Sequence, residues 1–360
     1  MEGKMVEMFE VGPCENGFQL GFLIGQRFYN QIRRRLAGDF ILRNQLLPFA
    51  QTPQAQQLIK ALSETNRKKF PRYWDELLGT AEGSGVPVLE IILVNFRKEL
   101  LPFIPNTEMN SIADTADDCS DVLVVSDSMA IAAHNEDAIF GLIDNTYLIK
   151  GKLSNGLSVI AYTYAGELPT CAFGFNSQGL AFTQNSVQPT KRDIVPAGIG
   201  RNFVSRDLEA TSIADALAVR PSNVCFLGDD LECETASRLQ VSVHEVGSTP
   251  FFQANMYLHL QVEQVEDENS IRKQKRAAVL PLESKADVLS LLGDTEDPKY
   301  PIYTTGPHRH TLCTTVIDLD EKTFTLMERN PKKGKISHVF SMSSNEFNCE
   351  SVNSGALARA

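Results

Sequence analysis

No stretch of this 360-residue chain approaches 18 consecutive apolar residues, so no membrane span is expected. The N-terminal sequence MEGKMVEMFEVG lacks the apolar centre of a secretory leader. Positive charge is scarce: 34 Lys and Arg face 45 Asp and Glu, a net charge of −11. That argues against a nucleic-acid binder, which needs clustered cations for its phosphate contacts. The one basic run, Arg33-Arg34-Arg35, falls on a predicted helix and reads as a solvated face. No Cys-x-x-Cys pair occurs among the seven cysteines, Cys14, Cys119, Cys171, Cys225, Cys233, Cys313 and Cys349, so no zinc site is expected. An odd number of scattered cysteines in a long chain fits a reducing compartment. The phosphate-loop and dinucleotide fingerprints are absent, and no internal repeat is found. The expected location is cytoplasmic. The C-terminal Ala358-Arg359-Ala360 shares part of a peroxisomal tripeptide but not its terminal Leu, which leaves that address as the alternative.

What is present is enough apolar material, 42% of residues, for a substantial core. Residues 1–12 read as a strand or extended lead-in. From Asn16 to Leu36 apolar residues recur at helical spacing, and Gly21 and Gly25 share a face that permits close packing. Further helices are predicted at Pro53–Leu62, Glu64–Gly79 and Pro87–Leu100. Pro102–Asp118 is polar and acidic and reads as an exposed linker. Beyond it the texture turns to strand, near 121–126, 129–134, 146–152, 157–163, 170–175 and 179–184. Helices follow at 201–210 and 213–219, then strands at 224–228, 239–246 and 251–254. Glu263–Arg276 reads as a charged surface helix or linker, Ala286–Leu292 as helix, and strands close the chain at 311–319, 323–328 and 336–341. Two groups of strands with helices around them suggest α+β, either αββα layers or a simpler two-layer fold.

The chain is organised around DDCSDVLVVSDSMAIAAHNED, residues 117–137. Two apolar runs split by Ser126-Asp127-Ser128 predict a hairpin, with His134-Asn135-Glu136-Asp137 where its second strand stops. Cys119 opens the first strand. A thiol needs a base before it attacks anything. If the Asp118–Cys119 peptide were cut, Cys119 would gain an α-amine of pKa about 7.7–8.0, well suited to general-base work at neutral pH. One residue would then carry nucleophile and base. The thiol itself can make that cut, by attack on the Asp118 carbonyl. A half-buried cysteine acting as a small apolar side chain is the plain alternative. His308-Arg309-His310 does not make a metal site, since consecutive strand residues alternate faces and no acidic partner is nearby.

The DDCSD and NED pieces, with Asp137 eighteen residues after Cys119, resemble the nucleophile region of the acyl-coenzyme A:6-aminopenicillanic acid acyltransferase family. These are N-terminal-nucleophile (Ntn) cysteine enzymes, also grouped as peptidase family C45. Gly174–Ala181 with Thr183-Gln184-Asn185, Gly198–Ala210, Asn223–Asp229, Phe252–Leu258, Thr311–Asp318 and Arg329-Asn330-Pro331 are similar to later segments of that family. The resemblance implies an Ntn-type αββα sandwich with a helical N-terminal segment packed on it. It also implies a precursor cut before Cys119 into parts 1–118 and 119–360, which stay associated. It gives Cys119 as nucleophile, Asp137 as the carboxylate that holds its amine or thiol, and Asn185 and Asn255 as oxyanion or orienting amides. Arg309 is the candidate for the family's late arginine, with Arg329 in reserve. Two departures stand out: Asp118 occupies a position that is Gly in the fungal acyltransferases, and Ser120 follows the cysteine where those enzymes have Thr.

The expected function is thus a self-processing amide hydrolase or acyltransferase for a small N-acylated amine. No metal or resident cofactor is expected, though a transferase would use an acyl-CoA co-substrate. Its pocket would be lined by the helical part and the loop near Ile139–Tyr147. The alternatives are an inactive Ntn-like binding protein that is never cut, and an uncut Cys-His thiol hydrolase using His134.

Overall fold

The computed structural model describes residues 5–105, 119–153, 155–169, 172–187, 196–207, 209–219, 224–227, 231–236, 241–259, 264, 267–306, 309–343 and 349–351. Asp118, and most of the expected linker before it, lie outside these residues.

The described chain forms two sheets enclosed by helices. The first sheet has the order β1(Glu7–Val11), β4(Thr146–Lys152), β5(Ser158–Tyr164), β6(Phe173–Asn176), β7(Ala181–Gln184), β8(Val224–Leu227), β9(Leu231–Ala236), β10(Val241–Glu245). The second runs β11(Phe251–Gln253), β2(Ser120–Ser126), β3(Met129–Ile139), β12(Arg309–Asp318), β13(Thr323–Met327), β14(Ile336–Ser341), β15(Cys349–Ser351). Pairing is antiparallel except between β1 and β4.

Three apolar layers show where each face goes. Leu123, Ala132, Tyr162, Phe173 and Phe324 fill the space between the sheets. Val122, Val124, Ile131 and Ala133 pack on the C-terminal helices. Tyr147, Ile149, Val159 and Phe182 meet the N-terminal helices. Successive residues of β2 are therefore buried on opposite faces, which is why Asp121–Val125 is a continuous apolar run after its first residue. The architecture is the expected αββα sandwich. Among the described residues no helix is long and apolar enough to cross a membrane.

The N-terminal helices are α1(Gly17–Arg27), α2(Tyr29–Gly38), α3(Pro53–Lys69), α4(Pro71–Ser84) and α5(Val88–Asn95). Asn16 caps α1 by accepting from the Gln19 amide at 2.9 Å, and Thr52 caps α3 just ahead of Pro53. The predicted boundary near residue 63 is corrected: α3 continues to Lys69, and the break falls at Phe70, because Pro71 bars the helical conformation from the residue before it. The close approach expected of Gly21 is present. A Cβ there would lie 1.8 Å from the carbonyl oxygen of Glu76, and one on Gly79 of α4 would lie 2.1 Å from that of Phe18.

Three other expectations change. The strand predicted to stop at His134 runs on to Ile139, because β3 is paired on both sides, by β2 and β12, and its polar residues find partners on both faces. Strand β9 was not expected, although Leu231-Glu-Cys-Glu alternates in character. The charged segment near 263–276 contains a packed helix, α6(Glu268–Ala277), whose buried face is Asn269, Ser270, Lys273 and Ala277. It is followed by α7(Lys285–Leu292).

The helix contact generates a stability prediction. Gly21→Ala is expected to cost about 1–3 kcal/mol through overpacking. Gly38→Ala, where a Cβ meets nothing within 4 Å, is expected to be neutral or to stabilise by up to about 1 kcal/mol. Urea midpoints of the two variants test this, and equal effects would contradict the close-contact account.

Candidate active site

Cys119 precedes β2 and is 1% exposed. The register pairs Ser120 with Asn135 and Asp121 with His134, so one step further Cys119 comes opposite Glu136. Cys119, Asp121, His134 and Glu136 then share the face that looks into the layer between the sheets. The thiol sits 3.4 Å from Oε2 of Glu136 and 3.8 Å from the backbone carbonyl of Asp137.

Glu136 is clamped. Its Oε2 is 2.9 Å from Nε2 of His134, and its Oε1 accepts from the Tyr164 hydroxyl, which comes across from β5 in the other sheet. Nδ1 of His134 is 2.8 Å from Oδ1 of Asp121. Burial works against a charge on His134, but Asp121 and Glu136 on its two nitrogens outweigh it and push its pKa up to about 10. At neutral pH it is therefore an imidazolium donating from both nitrogens.

Asp137 points to the other face of β3. Its carboxylate accepts from Nζ of Lys273 at 2.8 Å and from Oγ1 of Thr311 at 2.6 Å. Its main chain, not its side chain, is the part seen against the thiol. Burial, with Asp137 and Cys313 nearby, pushes the Tyr303 hydroxyl up to about 12.

The two predicted amides link the sheets: Asn185 follows β7 of the first sheet and Asn255 follows β11 of the second. Gln253, the last residue of β11, pairs with Asp121, and Asn255 follows two residues beyond it. Asn185 donates to the Gln253 carbonyl at 3.2 Å, and Asn255 donates to the Ser186 carbonyl at 2.8 Å. One N–H of each amide is committed there, and the second is the one an oxyanion role calls for. Arg309 starts β12 opposite Ile139 and is half-buried, whereas Arg329 is exposed.

A cavity of about 30 Å³, room for a water molecule, touches the Glu136 cluster at Tyr164. Its wall includes Tyr164, Ile139 and Leu142, together with Arg35, Asn95 and Arg97 from the helical part. Cys119, His134 and Glu136 also offer three ligand atoms within 4.8 Å of one another, the donor types that hold a soft divalent cation. A metal there would have to displace the proton that His134 holds up to about pH 10.

The sequence reading missed Glu136, Asp121, Tyr164 and Lys273 as members of the site. The signal for Lys273 was available: it falls between Asn269 and Ala277 at four-residue steps, on the face that packs.

The chain has recognisable relatives. The β-alanyl-dopamine/carcinine hydrolase of Drosophila melanogaster is 24% identical, over 88% of this chain and 91% of that protein. The 40 kDa form of acyl-coenzyme A:6-aminopenicillanic-acid-acyltransferase of Emericella nidulans is 28% identical, over 45% of this chain and 43% of that protein. Among the solved structures that align are a mutant of the conjugated bile acid hydrolase from Clostridium perfringens and penicillin V acylase from Agrobacterium tumefaciens. The first has a TM-score of 0.35 at 13% identity, over 66% of this chain and 96% of that one. The second has a TM-score of 0.33 at 12% identity, over 64% and 90%. The sequence profile of one family matches residues 124–333, a span that takes in Asp137, Asn185, Asn255 and Arg309 and begins just after Cys119. With more than half of its length so matched, the chain belongs to the acyl-coenzyme A:6-aminopenicillanic acid acyl-transferase family.

Proposed function

We propose that this protein is an amide hydrolase or acyltransferase for small N-acylated amines, working through a thioester on Cys119. The observation that carries the reading is the setting of the thiol. It is buried, yet it lies 3.4 Å from a carboxylate, in a polar cluster whose Tyr164 lines a small cavity, not in packed hydrocarbon. A cysteine kept only for its apolar bulk has no use for such neighbours.

In this reading the chain is first cut before Cys119. The new α-amine takes the thiol proton, and Sγ attacks the amide carbonyl of the substrate. The second N–H groups of Asn185 and Asn255 meet the oxyanion. The amine leaves with the proton, and the thioester passes to water or to a second amine. Which acceptor wins depends on how well the bound acyl group keeps water out. Acyl-CoA is the donor to examine for the transferase branch. The Drosophila relative, whose name gives it β-alanyl amines, makes such compounds the first substrates to try. Asp137, fixed by Lys273 and Thr311, holds the backbone on which Glu136 and the thiol meet.

A Cys-His pair is less well supported. An imidazolium with both nitrogens donating has no lone pair with which to take the thiol proton. Strand β1 and the buried Arg206–Glu76 ion pair at 2.9 Å join the two sides of the proposed cut, so the fragments are expected to stay together.

Two measurements test these points. Intact mass and N-terminal sequencing of the wild type are expected to find fragments of 118 and 242 residues, the second beginning at Cys119. Cys119→Ala is expected to remain one chain and to lose more than about 10³-fold in turnover of N-acyl amines. Turnover at the wild-type rate, or cutting at the same bond, would sink the reading.

The second concerns His134. Its pKa is raised on folding, from about 6.5 unfolded to about 10. Its contribution to stability is therefore complete below pH 6.5 and is lost as pH rises through 10, on the order of a few kcal/mol in all. Urea midpoints at pH 6, 8 and 10 are expected to fall across that window, and His134→Gln is expected to flatten the fall. An unchanged slope in the variant would show that His134 is not the group responsible.

A further inference from the structure

We propose that Glu136 is the base that activates Cys119 while the chain is still uncut. The inference rests on the processing step of the reading above and supplies the group which that step lacks. Before the cut, the nitrogen of Cys119 is an amide nitrogen and has no useful basicity. The α-amine that serves the mature enzyme does not yet exist. Some other acceptor must take the thiol proton.

Glu136 has the position for this. Its Oε2 is 3.4 Å from Sγ, and the contact is sealed from solvent, Glu136 being 2% exposed and Cys119 1%. The carboxylate cannot swing away, because His134 holds Oε2 at 2.9 Å and Tyr164 holds Oε1. Asp121, at 2.8 Å from Nδ1, fixes the ring in turn. The other carboxylate close in sequence, Asp137, is committed to Lys273 and Thr311 and faces the thiol with its carbonyl.

The step balances without any outside reagent but water. As the Sγ–C bond forms to the carbonyl carbon of Asp118, the thiol proton moves to Oε2 of Glu136. The C–N bond to Cys119 then breaks, and Glu136 returns the proton to the departing nitrogen. A thioester and a free α-amine result. Water hydrolyses the thioester, its hydroxyl going to the Asp118 acyl carbon and its hydrogen to sulfur. From that point the amine serves as base.

The test is the rate of chain cutting, followed by intact mass on purified full-length precursor from pH 6.5 to 9. For the wild type, a rate that changes little from pH 7 to 9 is expected. Glu136→Gln is expected to cut about 10²-fold or more slowly at pH 7. Its rate should then climb about tenfold per pH unit, because only thiolate formed by hydroxide can react in it. Glu136→Asp, which keeps the charge but withdraws it by one methylene, is expected to slow about tenfold and to keep the flat wild-type profile. A Gln variant that cuts at the wild-type rate overturns the proposal, as does one slowed equally at every pH. If the Gln variant fails to fold, an Asp variant that cuts at the full rate overturns it. A wild type that never cuts removes the processing step, and this proposal with it. A wild type that cuts alongside a Gln variant that cuts equally well removes this proposal alone.

Discussion

One buried positive charge holds the inside of this protein in order. His134 lies between Asp121 and Glu136 in the layer where the two sheets meet, and each of its nitrogens is spent on a carboxylate. Charges taken out of water are tolerable only when every one of their hydrogen bonds is made. Here the count is completed from the opposite sheet, by Tyr164. The trio therefore does more than neutralise itself. It joins β2 to β3 side by side and β3 to β5 across the sandwich, and it turns one carboxylate oxygen toward a thiol. On the reverse face of β3, Asp137 with Lys273 and Thr311 plays the matching part, tying the second sheet to α6.

The helical layer reaches the thiol by the same kind of relay. Arg35 donates to the Ala165 carbonyl at 2.7 Å and pairs with Glu167. Asn95 donates to the Gly166 carbonyl at 3.0 Å and accepts from the Leu168 amide at 2.9 Å. The turn so held begins directly after Tyr164. The helices thus set where Tyr164 stands, Tyr164 sets Glu136, and Glu136 meets Cys119. A domain made only of the second part of the chain would lack β1 and lose this chain of positioning. The tight seam between α1 and α4, where glycines bring backbone against backbone, makes the layer rigid enough for the relay to matter.

Most of the architecture was legible because burial leaves a periodic mark. The apolar run after Asp121, the helical spacing from Phe18 to Leu36 and the strand pattern of 311–319 all appear where periodicity placed them. What escaped was written in polar residues. His134-Asn135-Glu136-Asp137 looks like a strand end by composition, and it is the middle of a pairing with β2 and β12. A strand interior accepts four such residues only when partners wait on both faces, and those partners come from Asp121, Tyr164, Lys273, Thr311, Thr314 and the Leu292 carbonyl. They lie 13 to 179 positions away along the chain, beyond any local window. Cys119, Asn185 and Asn255 could be named from a family resemblance. Glu136 could not, because its meaning comes from the register that sets it opposite the cysteine.

Strand β1, Glu7–Val11, lies alongside Tyr147–Gly151, in parallel and at the margin of the first sheet. Were the backbone opened ahead of Cys119, this ribbon would still be stitched in by main-chain hydrogen bonds. The first third of the molecule would then behave as a noncovalent subunit and not as a shed leader. Pulling it away would bare the flank of β4, and an unprotected flank invites pairing with other molecules. Loss of one piece and clumping of the other would thus be a single event, which gives such a protein good reason to keep both its pieces for life.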